Sequence, residues 1–167
     1  MTGSLPLERT NTCATPGPRK SRAGVRVAFL FDTDAISELL RPQPLRAYVE
    51  WLGVVPREEQ VASAVTIGER FKGAYRSQAS ERHVRNIEER VLPALTVRPY
   101  DVATARGFGR IRAALERKGR IFPDVDLQIA ATAIHHGLAL VPGDVRHFER
   151  IADLRLNRIL AEARRDR

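Results

Sequence analysis

One cysteine, Cys13, is present in the 167 residues, which excludes an intrachain disulfide and any cysteine-rich zinc site. Lysine is scarce too, confined to Lys20, Lys72 and Lys118, so nearly all the positive charge is arginine. Apolar runs are short: none approaches the ~20 residues of a membrane helix, and residues 1–24 hold no apolar core of a secretory signal. A membrane protein is excluded on length alone, and a cytoplasmic chain is expected. No internal repeat is visible, so a solenoid is not supported. The length suits one domain with its own core and is too short for two ordinary ones.

What is present is basic. Lys+Arg number 28 against 20 Asp+Glu, a net charge of +8, which favours an anionic partner such as nucleic acid or an acidic protein segment. The planar guanidinium of arginine suits phosphate recognition. Residues 1–24, rich in Ser, Thr, Pro, Gly and Arg without periodicity, read as a disordered leader. The folded domain is expected over 25–160, followed by a basic tail at 161–167 in which a last helix frays.

Within the domain, Val25 to Phe31 is an apolar run broken only by Arg26, the pattern of a central strand buried on both faces. Helices follow at Ala35 to Leu40 and Pro44 to Gly53, a strand at Val61 to Val65, and helices at Thr66 to Ser77 and Ser80 to Leu92, with Ser80 as N-cap. A third strand is expected at Leu95 to Val97. Asp101 caps a helix reaching about Lys118, and an apolar helix runs from Asp124 to His136, closed by Gly137. Strands at Leu138 to Val141 and Leu154 to Leu156 flank a short helix from Asp144 to Ile151. Strands alternating with helices predict an α/β fold with a mostly parallel sheet of four to five strands, whose ligands bind beyond the carboxyl ends of the strands.

Acidic residues stand at those ends. Asp32 follows VAFLF, Glu69 follows VASAVTIG, Asp144 follows LALVPG, and Asp126 opens the apolar DLQIAATA. Gathered in one pocket, they would supply the oxygen ligands that Mg2+ or Mn2+ prefers, and such a cation can activate water or clamp the oxygens of a phosphodiester displacement. Each acid also has a purely structural reading. Thr66 to Glu69 matches a capping box, Asp124 and Asp126 suit a helix start, and Asp144 can cap its short helix. Asp32 has the weakest such alternative, since a carboxylate at the mouth of a buried strand needs a partner and no nearby basic residue supplies one. His135 and His136 fall in a last helical turn, where the helix dipole favours them without any metal.

FLFDTDAISELL, SAVTIGERFKGA, PDVDLQIAATAIHHGLALV and GDVRHFERIADL, in this order and spacing, resemble the motifs of VapC-type PIN-domain toxins, over about Val25 to Leu156. The resemblance implies a three-layer α/β/α PIN fold and a Mg2+-dependent endoribonuclease, with Mn2+ as a substitute. It also implies an RNA substrate, a homodimer and neutralisation by a VapB-type antitoxin. Asp32, Glu69, Asp126 and Asp144 match the acidic quartet that would bind metal and carry catalysis. Thr33 and Asp34 match supporting positions beside the metal, and Asp124 a further supporting acid. Pro142 departs from the family, which often has Thr or Ser there. Proline brings neither a hydroxyl nor an N–H, so a supporting hydrogen bond is lost or replaced.

Two other readings compete. Asp32-Thr33-Asp34 with Gly143-Asp144 fits a haloacid-dehalogenase-like phosphatase with Asp32 as nucleophile. Phe148 stands where that family has its second late acid, and Glu69 and Asp126 would then have no role. The alternative to any enzyme is a PIN-like module that binds RNA or protein without cutting.

Overall fold

The computed structural model describes residues 27–166. Its strands are β1 (Phe29–Phe31), β2 (Gln60–Ser63), β3 (Thr96–Arg98), β4 (Ala139–Val141) and β5 (Arg155–Leu156). All pair in parallel, in the order β3-β2-β1-β4-β5. The α-helices among the described residues are α1 (Thr33–Leu39), α2 (Arg46–Val54), α3 (Ala64–Tyr75), α4 (Ser80–Asn86), α5 (Val102–Glu116), α6 (Asp124–His135), α7 (Val145–Phe148) and α8 (Ile159–Arg165). Among the described residues no helix is long and apolar enough to cross a membrane.

Alternation along each short strand sends neighbouring side chains to opposite faces of the sheet. Phe31, Ala62 and Val141 point to one face and pack with α1, α2, α3 and α8 through Ile36, Tyr48, Ile67 and Leu160. Leu30, Val61 and Leu140 point to the other and pack with α5, α6 and α7 through Leu115, Leu127, Ile129 and Phe148. Burial on both faces is why the first strand reads as an unbroken apolar run and why it lies at the centre of the sheet. The α/β/α layering is as expected. The edge strand β3 is exposed at all its residues.

Three local expectations change. Val25 and Arg26, with the leader, lie outside the described residues, and β1 begins at Phe29. Ser80 is already the first residue of α4, whose N-cap, Ala79, makes no side-chain bond. A residue with helical backbone cannot cap its own helix. The basic end is helical through Arg165, and α8 buries Leu160 and Ala163 in the same core as α1 and α2. Its apolar residues are too few to show a period against the surrounding arginines, so tertiary packing orders it.

Candidate active site

The chain runs outward from β1 to β2 and β3, then crosses back to β4 and β5 on the other side. The winding therefore reverses between β1 and β4, and at such a switch point the loops leaving adjacent strands part and open a crevice. Asp32 leaves β1 and Asp144 leaves the β4 turn, one on either side of it. A cleft of about 430 Å3 at this point is lined by Asp32, Asp34, Glu69, Asp126 and Asp144. All four predicted acids thus reach one cleft.

Asp32 is the best anchored. It is only 8% exposed, and each carboxylate oxygen accepts a backbone N–H: Oδ1 from Ala35 at 2.7 Å, Oδ2 from Gly143 at 2.8 Å. The partner that the sequence could not supply is backbone, from the first turn of α1 and from the β4 turn 111 residues away. Burial pushes its carboxyl up from 3.8 to about 6, with Asp34 adding to the shift. The two N–H bonds and Arg164 oppose it.

Glu69 is freed from the capping-box reading. Ser63, fully buried at the end of β2, is the N-cap of α3, and its hydroxyl accepts the Thr66 N–H at 2.9 Å. The helix therefore starts at Ala64, placing Glu69 in its second turn, where it pairs with Lys72 at 2.5 Å. Asp126, in the first turn of α6, has its carboxyl raised by burial and by repulsion from Asp34 and Glu69. His147 Nδ1, 3.5 Å from its Oδ2, opposes that shift.

Asp144 caps α7 through the Arg146 N–H at 3.0 Å, and that bond holds its carboxyl below the usual range. Thr33 also lines the cleft. Asp124 does not: its carboxylate is held by Arg112 of α5 at 2.5 Å. Asp124 is also no N-cap, that position being Pro123. His135 and His136 close α6 at the end opposite Asp126, with His136 held below its ordinary pKa, chiefly by burial.

Glu38, Gly143, His147 and Arg164 also shape the site and were not singled out as site residues from sequence. Gly143 is built against Asp34: a Cβ there would overlap that side chain. This close approach is what lets the Gly143 N–H reach Asp32 beside the hydroxyl-free Pro142. Glu38 is fully buried, accepts the Leu45 N–H at 3.1 Å, and faces Arg41 at 3.3 Å and Arg164 at 3.9 Å. A carboxylate on the apolar face of ISELL was the available signal. Arg164 reaches from α8 to donate to the Gly143 carbonyl at 2.8 Å.

A hard divalent cation suits this donor set, which is carboxylate oxygen throughout. Yet among the described residues no three acidic, His or Cys side chains stand close enough to enclose one. Glu69 is drawn to Lys72 and Asp144 to Arg146. Both ion pairs are exposed enough to be weak, so both carboxylates can turn inward toward a cation.

The sequence profile of the PIN domain matches residues 29–154. Ribonuclease VapC2 of Haemophilus influenzae is 33% identical over 132 residues, covering 76% of this chain and 94% of that protein. The tRNA(fMet)-specific endonuclease VapC of Shigella flexneri is 35% identical over 127 residues, with 76% and 94% covered. The crystal structure of DNA-bound VapBC from Salmonella typhimurium superposes with a TM-score of 0.72 at 31% identity, covering 79% of this chain and 98% of that one. These matches leave the dehalogenase-like phosphatase without support. With its acids at the switch point of a five-stranded parallel sheet, the chain belongs to the PIN-domain family, among the VapC ribonucleases.

Proposed function

We propose that this chain is the toxin of a type II toxin–antitoxin pair, an endoribonuclease whose acidic cleft holds Mg2+ or Mn2+ and hydrolyses RNA phosphodiester bonds. The observation that carries this reading is the convergence of Asp32, Glu69, Asp126 and Asp144 on one cleft at the switch point. Relatives named as VapC ribonucleases and a neighbour solved as a VapBC complex support it, and a VapB-type antitoxin is the proposed protein partner.

Asp32 and Asp126 would hold the cation, with Glu69 and Asp144 completing the set once turned from Lys72 and Arg146. When bound, the cation supplies Lewis acidity to the scissile phosphate and lowers the pKa of a water. Asp32 brings a carboxylate already fixed in direction by two backbone N–H groups, so little reorganisation accompanies binding. Asp34 adds negative charge at the rim and keeps the Gly143 turn closed to any larger residue. His147 holds Asp126 from the solvent side.

Purified chain should cut RNA with added Mg2+ or Mn2+ and stop with EDTA. Asp32→Asn or Asp126→Asn should lower the rate by at least about 100-fold, the upper range for disturbing even the partners of a metal ligand. Undiminished cutting by either variant would remove the carboxylates from the mechanism. RNA binding, growth inhibition and metal affinity all left unchanged by Asp32→Asn would leave a binding module instead.

A further inference from the structure

Beside the acidic cleft lies a second one, of about 510 Å3, between α7 and α8. Four arginines line it, Arg146, Arg158, Arg164 and Arg165, against two carboxylates, Asp144 and Glu149. The two clefts share Asp144 as a lining residue and so are adjacent. Each carboxylate is already met by an arginine: Asp144 by Arg146 at 3.3 Å and Glu149 by Arg158 at 2.6 Å. Arg164 is turned to the Gly143 carbonyl and lies 3.7 Å from Asp34. Arg165 is exposed and, among the described residues, paired with no carboxylate. The pair of Arg158 with Glu149 is exposed enough to be weak, so the guanidinium groups of Arg158 and Arg165 are both open to an anion from solvent.

An acidic pocket alone repels a polyanion, so a strand that places one phosphate there needs cations for the phosphates on either side. Guanidinium groups supply flat, multiply donating contacts for them. We propose that the α7–α8 cleft is a binding subsite for the RNA backbone, holding phosphates next to the scissile one through Arg158 and Arg165. This rests on the ribonuclease reading above. The subsite belongs mainly to α8, which begins after residue 154, where the match to the PIN domain ends.

The test is fluorescence anisotropy with a labelled single-stranded oligoribonucleotide in EDTA, across a salt series, for wild type, Arg158→Ala/Arg165→Ala, the corresponding double Lys variant, and Arg57→Ala. Arg57 lies in the turn leading into the amino end of β2, whereas the site lies beyond the carboxyl ends of the strands, and serves as the charge control. The double Ala variant should bind about tenfold more weakly and lose roughly 0.7 of salt slope per contact, with the Lys variant recovering the slope. With metal added, KM should rise by a similar factor while kcat holds within about twofold, the mark of lost uniform binding. Wild-type affinity and slope in the double Ala variant would overturn the subsite, and equal weakening by Arg57→Ala would reduce it to net charge. Weakened antitoxin binding with RNA binding intact would hand the cleft to the protein partner and overturn it too. If wild type cuts RNA while the variants match it, only the subsite falls. If wild type neither binds nor cuts, the ribonuclease reading falls with it.

Discussion

Asp32 carries opposing demands: its burial favours the proton, while the chemistry proposed for it needs the carboxylate. A carboxyl whose folded pKa lies above its unfolded value stabilises the metal-free chain below pH about 3.8, and that contribution is lost as pH rises through about 6. A cation reverses the preference by competing with the proton. Mn2+ affinity is therefore expected to be high at pH 8 and to fall steeply below pH about 6, which calorimetric titration at several pH values would follow. A flat affinity from about pH 5 to 8 would take Asp32 out of the ligand set. Gly143 is the other decisive residue. Gly143→Ala should cost about 1–3 kcal/mol by overpacking, and Asp34→Gly should recover part of that loss in a double-mutant cycle read by urea denaturation. Strictly additive losses would mean that the β4 turn and α1 part freely. Asp32 was readable in sequence because a lone carboxylate after an apolar strand has few structural excuses. Its actual partners were not, since backbone N–H groups carry no residue identity.

At the level of elements, α8 is where the sequence misled. Arginines dominate its composition, yet Leu160 is fully buried in the same core cluster as Tyr48, Ile36 and Phe31. Leu160→Ala is expected to destabilise the fold by about 2–5 kcal/mol, with a matching drop in the urea midpoint. A surface-like change below about 0.5 kcal/mol would restore the picture of a loose tail. The start of α3 shows the converse. Thr66 to Glu69 satisfies the capping-box pattern, but β2 passes into the helix without a loop, and Ser63 takes the cap. Local pattern pointed to a start at Thr66, and the end of the strand moved it two residues earlier. Asp101 had no such rival and caps α5 as the sequence indicates, its side chain accepting the Thr104 N–H at 2.8 Å.

Over the whole molecule, the net charge of +8 sits with exposed apolar residues such as Val54, Tyr75, Val102 and Ile121. A homodimer is expected, and sedimentation or light scattering at micromolar concentration would report it, a monomeric mass counting against it. By itself the sequence determined the alternation of strands and helices, the central place of the first strand and the candidate acids. Each of these is written in a period, a cap or a residue type that acts within a few positions. Tertiary structure decided which acids share a cleft. Asp32, Glu69, Asp126 and Asp144 meet because strand order, not spacing along the chain, sets which loops converge at a switch point, whereas Asp124, two residues from Asp126 on the same helix, is held by Arg112 instead. It also decided that Gly143 completes Asp32 and that Arg164 closes over the same turn. These contacts join segments more than 20 residues apart, and their signal in sequence is only a glycine and an arginine among many.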